Sequence, residues 1–363
     1  MVPGQLDEKE NMIISRTPFR ISFFGGGTDY PAWYRTHGGE VLATTIDKYC
    51  YLSCRFLPPF FEHRFRVVYS QIENCQNIDE ISHQAVREVL RFLNFNRGIE
   101  IHHDGDLPAR SGMGSSSSFT VGLLHALYAL KGYIPSKQQL AEESIIIEQD
   151  RLKESVGSQD QIATAYGGLN HIKFMQSGEF NVQPLTLPKD RIDEFNSYLM
   201  LFFTGIKRTA SDIAKSYTLE MEKKEKQMCL LQDMVTEGMS ILNSNRALVE
   251  IGRLMHEGWK AKKNLSAKVS NPHVENIYEQ ALRAGALGGK LLGAGGGGFM
   301  LLFVPPDHQQ KVEERLKNLI HVPFKFEYRG SQIIFYDVEE DYSSLDRKRL
   351  SSHIDNFREH SEC

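Results

Sequence analysis

Residues 107–118 read LPARSGMGSSSS and run directly into FTVGLLHALYALKG at 119–132. The second stretch is apolar almost all round, which predicts a buried central helix that ends near Gly132. A loop of small residues that enters a helix offers unpaired backbone N–H groups and the positive end of the helix dipole, and both attract phosphate. Serine hydroxyls add donors and can ligate Mg²⁺ that bridges nucleotide phosphates. The predicted phosphate-binding residues are Gly112, Met113, Gly114, Ser115, Ser116 and Ser117.

Two familiar nucleotide motifs do not describe this loop. The chain lacks the G-x-x-x-x-G-K-[ST] pattern of a Walker P-loop. A Rossmann fingerprint also fits poorly, because there is no third glycine and no acidic residue at the end of a following strand. The remaining alternative for any one of these serines is purely structural, as the N-cap of a core helix.

Length, charge and the N-terminal sequence limit the classes of partner and location. A chain of 363 residues is long enough for two domains of ordinary size. Its net charge of -4 is too close to neutrality for a dedicated binder of nucleic acid or anionic membrane. No apolar run reaches the ~18 residues of a membrane span, and MVPGQLDEKE does not resemble a signal or transit peptide. We expect a cytoplasmic protein that binds small molecules, and the sequence leaves its oligomeric state, a homodimer included, open.

The five cysteines are consistent with a reducing compartment, because their number is odd and no C-x-x-C pair occurs. The alternative to reduced thiols is a zinc site formed by Cys50, Cys54 and His63. We expect the cysteines to be small, partly buried side chains instead.

Strands and helices alternate irregularly along the chain, which favours an α+β fold over a doubly wound parallel sheet. Residues 40–46 and 49–57 are predicted as a pair of strands, and a strand–loop–strand unit is predicted around the glycine run 293–298. The composition changes near residue 205, where a helical stretch rich in Lys and Glu begins. We predict a flexible leader over 1–11, an N-terminal domain over 12–195, a C-terminal domain over 196–340 and a polar tail over 341–363.

Glu148 is the candidate metal ligand. On a predicted helix over 137–153 it lies three residues after Ile145 and four before Leu152, which places its carboxylate on the apolar face. A carboxylate held away from water needs a partner or a cation. Glu148 is therefore expected either to bind Mg²⁺ beside the serine loop or to form a structural salt bridge to Arg151 or Lys153.

Three further residues carry charge next to predicted loops. Asp160, in GSQDQ at 157–161, is either a helix N-cap or a carboxylate that orients or deprotonates a substrate hydroxyl. Asp29, in the first glycine cluster, is either a turn former or a ligand of sugar hydroxyls. Arg20 is either a surface residue of a strand or a guanidinium that keeps Asp160 ionised and stabilises transferred charge.

TPFRISFFGGGTDY, LPARSGMGSSSS and KLLGAGGGGF occur in this order, and together they resemble the three motifs of the GHMP kinases. This superfamily includes galactokinase, homoserine kinase, mevalonate kinase and phosphomevalonate kinase. The resemblance covers residues 12–340 and implies a two-domain α+β GHMP kinase fold with the active site between the domains. GGGTDYPAWY, GGEVLATTIDKY, GSQDQIATAYGGLN and FTGIKRTAS are most similar to the heptose 7-phosphate kinase branch. That branch phosphorylates the anomeric hydroxyl of D-glycero-D-manno-heptose 7-phosphate with ATP, on the route to nucleotide-activated heptose.

The resemblance also implies roles for individual residues. ATP phosphates would lie on residues 112–117, Mg²⁺ on Ser116 and Glu148, and the catalytic pair would be Asp160 and Arg20. Asp29 matches the aspartate that contacts the sugar.

Gly26 and Gly27 lie beside Asp29, at the place where galactokinase has Glu and His before Thr-Asp. The missing pair argues against a galactose-type network of hydroxyl contacts. The alternatives are a GHMP kinase for fucose, for a galactose-type sugar or for another small alcohol, and a catalytically silent sensor on the same fold.

A sugar that already carries a phosphate needs cations at the far end of the site from ATP. The candidates from the sequence are Lys48 and the adjacent pair Lys207 and Arg208, which follow the glycine turn at Gly205. The alternative for the adjacent pair is a solvated loop. A charge-assisted contact to phosphate contributes roughly 1.5–3 kcal/mol.

Overall fold

The computed structural model describes residues 10–109, 111–206, 222–266, 268–339, 344–345 and 347–348. Its helices are α1 (Pro31–His37), α2 (Gln84–Phe92), α3 (Ser115–Leu130), α4 (Lys137–Ile145), α5 (Gln159–Tyr166), α6 (Lys189–Ser197), α7 (Glu225–Leu242), α8 (Val249–Lys263), α9 (Pro272–Ala284) and α10 (Pro306–Arg315). Its strands are β1 (Glu10–Phe24), β2 (Gly39–Phe56), β3 (Phe65–Val68), β4 (Ile72–Cys75), β5 (Ile99–Gly105), β6 (Asn170–Phe174), β7 (Phe180–Pro184), β8 (Leu199–Phe203), β9 (Gly288–Leu291), β10 (Phe299–Phe303), β11 (Ile320–His321), β12 (Phe326–Glu327) and β13 (Gln332–Glu339). None of the helices within these ranges combines the length and the apolar character needed to cross a bilayer.

A nine-stranded sheet organises the first half of the chain. Its main path is β13-β1-β2-β5-β3-β4, while β12 and β6 pair with β2, and β7 pairs with β6. β12 and β13 come from the last part of the described chain, so they cross back into the sheet of the first half. The residues assigned from the sequence to the C-terminal domain therefore contribute to both sheets.

The predicted strand pair at 40–46 and 49–57 is wrong, because these residues form one continuous strand, β2. β1 pairs with β2 in antiparallel fashion along nearly its whole length, and the register shifts between Pro18 and Phe19. A proline has no N–H to give to the ladder. Pro18 pairs with Tyr49 and Phe19 pairs with Ile46, so Asp47 and Lys48 are the extra residues of a bulge in β2, between the two predicted segments.

A second sheet, with the order β11-β8-β10-β9, is packed between two hydrophobic clusters. Along β10, Phe299 and Leu301 face the large core that also underlies the first sheet. The alternate residues Met300 and Leu302 face a smaller cluster formed with α9 and α10. This alternation is what the two-residue period of a strand requires when both faces are buried.

The predicted central helix is confirmed as α3, which packs against β1 and β2 and is buried on most sides. Its N-terminus follows directly from the loop that contains Gly112 and Gly114. The strand–loop–strand unit is also confirmed, as β9 and β10 around the glycine run. The predicted α+β class is therefore correct. In this fold the glycine-rich loop before α3 lies next to the glycine-rich loop between β9 and β10.

Those two loops touch through their backbones. A Cβ atom on Gly293 would lie 2.6 Å from the Cα of Gly112, and one on Gly298 would lie 2.1 Å from the carbonyl oxygen of Ser111. Real Cβ atoms do not approach other atoms so closely, so neither glycine position admits a side chain without a shift of the backbone. We call this contact of residues 111–112 with residues 293–298 the glycine seam.

Three of the described cysteines agree with the expectation of buried side chains, whereas Cys229 is exposed. Cys50, Cys54 and Cys75 are buried thiols, and burial raises the pKa of each. Within the described ranges, no group of three or more His, Cys, Asp or Glu side chains is placed to hold a metal by itself.

Substitution of Gly298 tests the glycine seam, with Gly132 as the matched control because both have positive φ, of +103° and +71°. A Cβ on Gly132 meets nothing within 4 Å. Gly132→Ala should therefore cost only the left-handed strain of about 1 kcal/mol, whereas Gly298→Ala should cost about 1–3 kcal/mol more through overpacking. Urea unfolding measures both losses, and equal losses would contradict a tight seam.

Candidate active site

A cavity of about 240 Å³ opens between the two halves of the molecule, next to the glycine seam. The first half supplies β1, the serine loop and the chain around α5, and the second half supplies the end of α8, β9 and the start of the third glycine run. The charged side chains that line it are Arg20, Asp29, Glu148, Glu154, Asp160, Lys262 and Lys290. This agrees with the expected position of the site between the domains.

Arg20, which is buried, and Asp160, which is partly exposed, form a two-point ion pair at the cavity. The Nε atom of Arg20 donates to Oδ1 of Asp160 at 2.6 Å, and its Nη2 donates to Oδ2 at 2.5 Å. The third nitrogen, Nη1, donates to the carbonyl oxygen of Gly112 at 2.7 Å. A planar guanidinium matches the two oxygens of a carboxylate in this way, so the pair is held in one orientation. Asp160 is thus not an N-cap, and its carboxylate is fixed beside the serine loop.

The serine loop presents the N-terminus of α3 to the cavity. Gly112, Gly114 and Ser115–Ser117 all line it, as predicted, whereas the side chain of Met113 is buried in the core. Gly114 adopts φ +75°, and its missing Cβ leaves room for Arg20, whose Cγ lies 3.1 Å from that position. The first-turn N–H groups of a 16-residue helix thus face the ion pair, which is a favourable environment for an anion.

Glu148 lies on a π-helical turn that continues α4, and it is fully buried. Its Oε2 accepts hydrogen bonds from Ser117 Oγ at 3.0 Å and from Gln161 Nε2 at 2.6 Å. Its other oxygen, Oε1, has no hydrogen-bond partner among the described residues. Burial raises the pKa of this carboxyl group to about 8. Within the described part of the chain, Glu148 therefore forms none of the salt bridges that were its structural alternative.

These features fit a Mg²⁺ ion held jointly by the protein and a nucleotide. The unpartnered Oε1 of Glu148 and the hydroxyls of Ser116 and Ser117 border the same cavity. Mg²⁺ is commonly bound by one or two carboxylates together with substrate phosphates and waters, and not by an all-protein cage. Ser117 contacts Glu148 directly, while Ser116 is exposed on the cavity wall.

Asp29 makes a turn contact and also lines the cavity. Its Oδ1 accepts from the backbone N–H of Gly27 at 2.8 Å, which is a turn contact, and Oδ2 faces the N–H of Gln159 at 3.4 Å. The carboxyl group is also buried and lines the cavity together with Gly26 and Gly27. Burial is the largest cause that raises the pKa of Asp29, and the negative charge of Asp160 acts in the same direction.

The cations predicted to hold a substrate phosphate do not lie in the cavity where the structure describes them. Lys48 is not among its lining residues, and its Nζ pairs with Oδ1 of the neighbouring Asp47 at 3.1 Å. Lys207 and Arg208 lie outside the described residues.

Two lysines that sequence reasoning missed do line the cavity, namely Lys262 at the end of α8 and Lys290 in β9. Lys290 begins the KLLGAGGGGF motif, so its position was a usable signal. Lys262 follows a helical pattern that ends in a Lys-rich turn, which is typical of a solvated helix end. Its burial depends on tertiary packing that the pattern does not contain.

Comparisons with protein families agree with this geometry. Residues 80–168 match the model of the GHMP kinases N terminal domain, and residues 241–321 match that of GHMP kinases C terminal. The first match includes the serine loop, Glu148 and Asp160, and the second includes both cavity lysines and the third glycine run.

Individual relatives extend the match over most of the chain. It is 29% identical over 319 residues to D-glycero-alpha-D-manno-heptose 7-phosphate kinase of Campylobacter jejuni, with 84% of this chain and 93% of that protein covered. It is 28% identical to the L-fucokinase/L-fucose-1-P guanylyltransferase of Bacteroides fragilis, covering 86% of this chain and 36% of that protein. The crystal structure of a D-glycero-D-manno-heptose 1-phosphate kinase from Bacteroides thetaiotaomicron superposes with a TM-score of 0.73 at 23% identity, covering 91% of this chain and all of that one.

The fold, the order of the three glycine motifs and these matches define a class of phosphotransferase. The chain carries the N-terminal and the C-terminal domain of the GHMP kinases. Within that class, the similarity to sugar kinases makes the protein a sugar kinase, which transfers a phosphoryl group to an alcohol.

The raised pKa of Glu148 predicts how stability depends on pH without metal. Its carboxyl pKa is about 8 in the folded protein and 4.5 ordinarily, so over that range the folded state holds a proton that the unfolded state releases. Stability of the metal-free protein should therefore fall as pH rises from about 6.5 to 8, and Glu148→Gln should remove this component. The lowered pKa values of Lys262 and Lys290 act with the opposite sign, that of Lys262 only above about pH 8, so the component of Glu148 is read from the difference between parent and variant.

Thermal unfolding in the presence of a chelator measures this slope. Glu142→Gln, an exposed position on α4, is the matched control and should keep the slope of the parent. An unchanged slope in Glu148→Gln would contradict the burial of an unpartnered carboxylate. Addition of Mg²⁺ and ATP should stabilise the parent and the control more than Glu148→Gln, because that variant lacks the charge that the metal requires.

Proposed function

We propose that this sugar kinase transfers the γ-phosphate of ATP to the anomeric C1 hydroxyl of D-glycero-D-manno-heptose 7-phosphate. The observation that carries the proposal is the Arg20–Asp160 pair, which faces the N-terminus of α3 across a cavity that also contains Glu148. A hydroxyl beside Asp160 would lie next to phosphates on the serine loop. The similarity to the heptose 7-phosphate kinase of C. jejuni supports the choice of sugar.

The nucleotide is assigned to the serine loop because that is where donors converge. The N–H groups of the first turn of α3 and the hydroxyls of Ser115 and Ser116 point toward the cavity side of the loop. Mg²⁺ would be held by Glu148, by a serine hydroxyl and by phosphate oxygens. When bound, the ion would neutralise charge on the phosphates and hold them in position for transfer.

Asp160 and Arg20 are assigned to the acceptor hydroxyl. Phosphoryl transfer depends mainly on positioning and on neutralisation of charge, so a fixed carboxylate contributes by orienting the hydroxyl and by taking its proton as the new bond forms. Both oxygens of Asp160 already accept from Arg20, which favours orientation as the larger contribution. Arg20 also reaches Gly112 of the serine loop, so it is placed to stabilise charge on the transferred group.

The sugar is assigned to the part of the cavity around Asp29. Two polar atoms there, Ser22 Oγ and Gln159 Oε1, are buried and have no hydrogen-bond partner among the described residues. Buried polar groups are normally paired, so partners from a bound polyol would satisfy them. The glycines at 26 and 27 leave out the Glu and His of galactokinase, which supports a sugar other than galactose.

A panel of acceptors tests the proposed activity. We expect the highest kcat/KM with heptose 7-phosphate, lower values with unphosphorylated heptose, L-fucose and D-galactose, and a product whose phosphorus couples to the anomeric proton in NMR. A preference for L-fucose would favour the fucokinase-like alternative, which the similarity to the B. fragilis enzyme supports. ATP turnover with none of the sugars would favour the silent sensor.

Asp160→Asn tests the assignment of the carboxylate. The amide keeps the size of the side chain but loses its charge and its ability to accept a proton. We expect kcat to fall by about 10²–10⁴-fold, with little change in KM for ATP. Asp150→Asn, an exposed aspartate in the same region, is the matched control and should behave as the parent does. If Asp160→Asn retains most of the turnover, Asp160 neither orients the hydroxyl nor accepts its proton.

A further inference from the structure

Lys262 and Lys290 are buried at the wall of the cavity, each with 8% of its surface exposed. Placing an ammonium group in such an environment is unfavourable unless a negative charge lies close by. Burial is accordingly the largest cause that lowers the pKa of both lysines. The fold therefore keeps two lysine side chains at a position where burial makes a positive charge unfavourable in the absence of an anion.

Neither ammonium group is paired with a carboxylate in the described part of the chain. Lys262 Nζ donates one hydrogen bond, to the carbonyl oxygen of Gly293 at 2.6 Å. Lys290 Nζ also donates one, to the carbonyl oxygen of Phe23 at 3.0 Å. An ammonium group has three N–H donors. Each lysine therefore has donors left for a ligand in the cavity.

Lys290 contacts the chain at the part of the cavity assigned to the sugar, whereas Lys262 contacts Gly293 at the glycine seam, next to the serine loop. Phe23, the partner of Lys290, precedes the first glycine loop, which carries Asp29. The charge of Asp29 acts on both lysines, and that of Asp160 acts on Lys262. The serine loop and Glu148 lie on the side assigned to the nucleotide.

The charges in this part of the cavity do not balance without a ligand. Arg20 and Asp160 neutralise each other, and Glu154 acts on Glu148. When both lysines are protonated, Asp29 is the remaining carboxylate that acts on the two of them. A neutral sugar would leave this excess positive charge uncompensated, whereas a phosphate on the sugar would compensate it.

We propose that Lys262 and Lys290 bind the phosphate group that the sugar substrate already carries. The inference rests on the proposed function, because it takes a sugar phosphate as the substrate. It assigns to these two residues the function that the sequence suggested for Lys48, Lys207 and Arg208.

Removal of either charge tests the inference. Lys262→Met and Lys290→Met keep the length of the side chain and fit a buried position. The matched control is Lys263→Met, since Lys263 is adjacent on α8 but pairs with Glu275 at 2.6 Å and does not line the cavity. The readout is the ratio of kcat/KM for heptose 7-phosphate to that for unphosphorylated heptose, with circular dichroism and thermal unfolding as checks of folding.

We expect this ratio to fall by about 10- to 100-fold in each cavity variant, the effect of losing a charge-assisted hydrogen bond to phosphate. KM for ATP and activity on unphosphorylated heptose should change little, and Lys263→Met should match the parent. If the parent prefers the phosphorylated sugar and both cavity variants keep that preference, the inference is wrong while the proposed function stands. If Lys262→Met lowers kcat equally with both sugars, its assignment to the substrate phosphate is wrong.

A second measurement does not depend on the identity of the sugar. Acetic anhydride modifies neutral amines, and mass spectrometry gives the rate at each lysine. Inorganic phosphate should slow acetylation of Lys262 and Lys290 in the parent but not of Lys263. If the parent does not phosphorylate heptose 7-phosphate, the proposed function fails, and this experiment decides the inference separately. Protection by phosphate supports an anion site at the two lysines, and acetylation at unchanged rates overturns it.

Discussion

The ion pair between Arg20 and Asp160 is the interaction on which the arrangement of the cavity depends. Arg20 comes from β1, Asp160 from the first turn of α5, and the third nitrogen of the guanidinium reaches Gly112 of the serine loop. The backbone N–H of Arg20 also donates to the carbonyl oxygen of Met113, so main chain and side chain hold the same loop. Because Arg20 is buried, loss of Asp160 would leave its positive charge without a compensating carboxylate. One residue thus fixes the relative positions of a strand, a helix start and a phosphate-type loop.

The glycine seam makes that arrangement part of a cavity between two halves. Because residues 111–112 meet residues 293–298 backbone to backbone, the third glycine run comes close to the loop that Arg20 holds. The carbonyl oxygen of Gly293, at the seam, accepts the hydrogen bond from Lys262. The glycine run 293–298 carries no acid or base of its own, and its close packing is what brings the second half of the chain to the ion pair.

The sequence predicted those features whose cause is local. The helix after the serine loop was found because it is apolar on all sides, and Glu148 was found because a carboxylate on an apolar face conflicts with its surroundings. The strand pair at 40–46 and 49–57 was wrong because Asp47 and Lys48 form a bulge in β2 and not a hairpin turn. A bulge and a hairpin differ in how the strand pairs with β1, and the sequence of β2 alone does not contain that information. The lysines were missed for a related reason. Lys262 and its neighbour Lys263 are both charged residues at a helix end, and only tertiary packing makes one of them line a cavity and the other pair with Glu275.

Burial shifts the pKa of Glu148 and of the two cavity lysines in the direction that disfavours the charged form of each. Glu148, at the serine loop, has a carboxylate oxygen without a partner among the described residues, and its pKa is raised because the negative charge is poorly solvated. Lys262 and Lys290 have lowered pKa values because their positive charges are poorly solvated. The same cavity thus holds groups of opposite sign whose charges the protein alone solvates poorly, together with the satisfied pair of Arg20 and Asp160. A cation with a nucleotide at Glu148 and an anionic sugar at the lysines would relieve both penalties while bringing the two reactants to that pair. Binding energy would then come from the charges of Glu148 and the two lysines, which folding alone leaves unsatisfied. This energy would be available only to a metal–nucleotide complex and to a sugar that carries a negative charge.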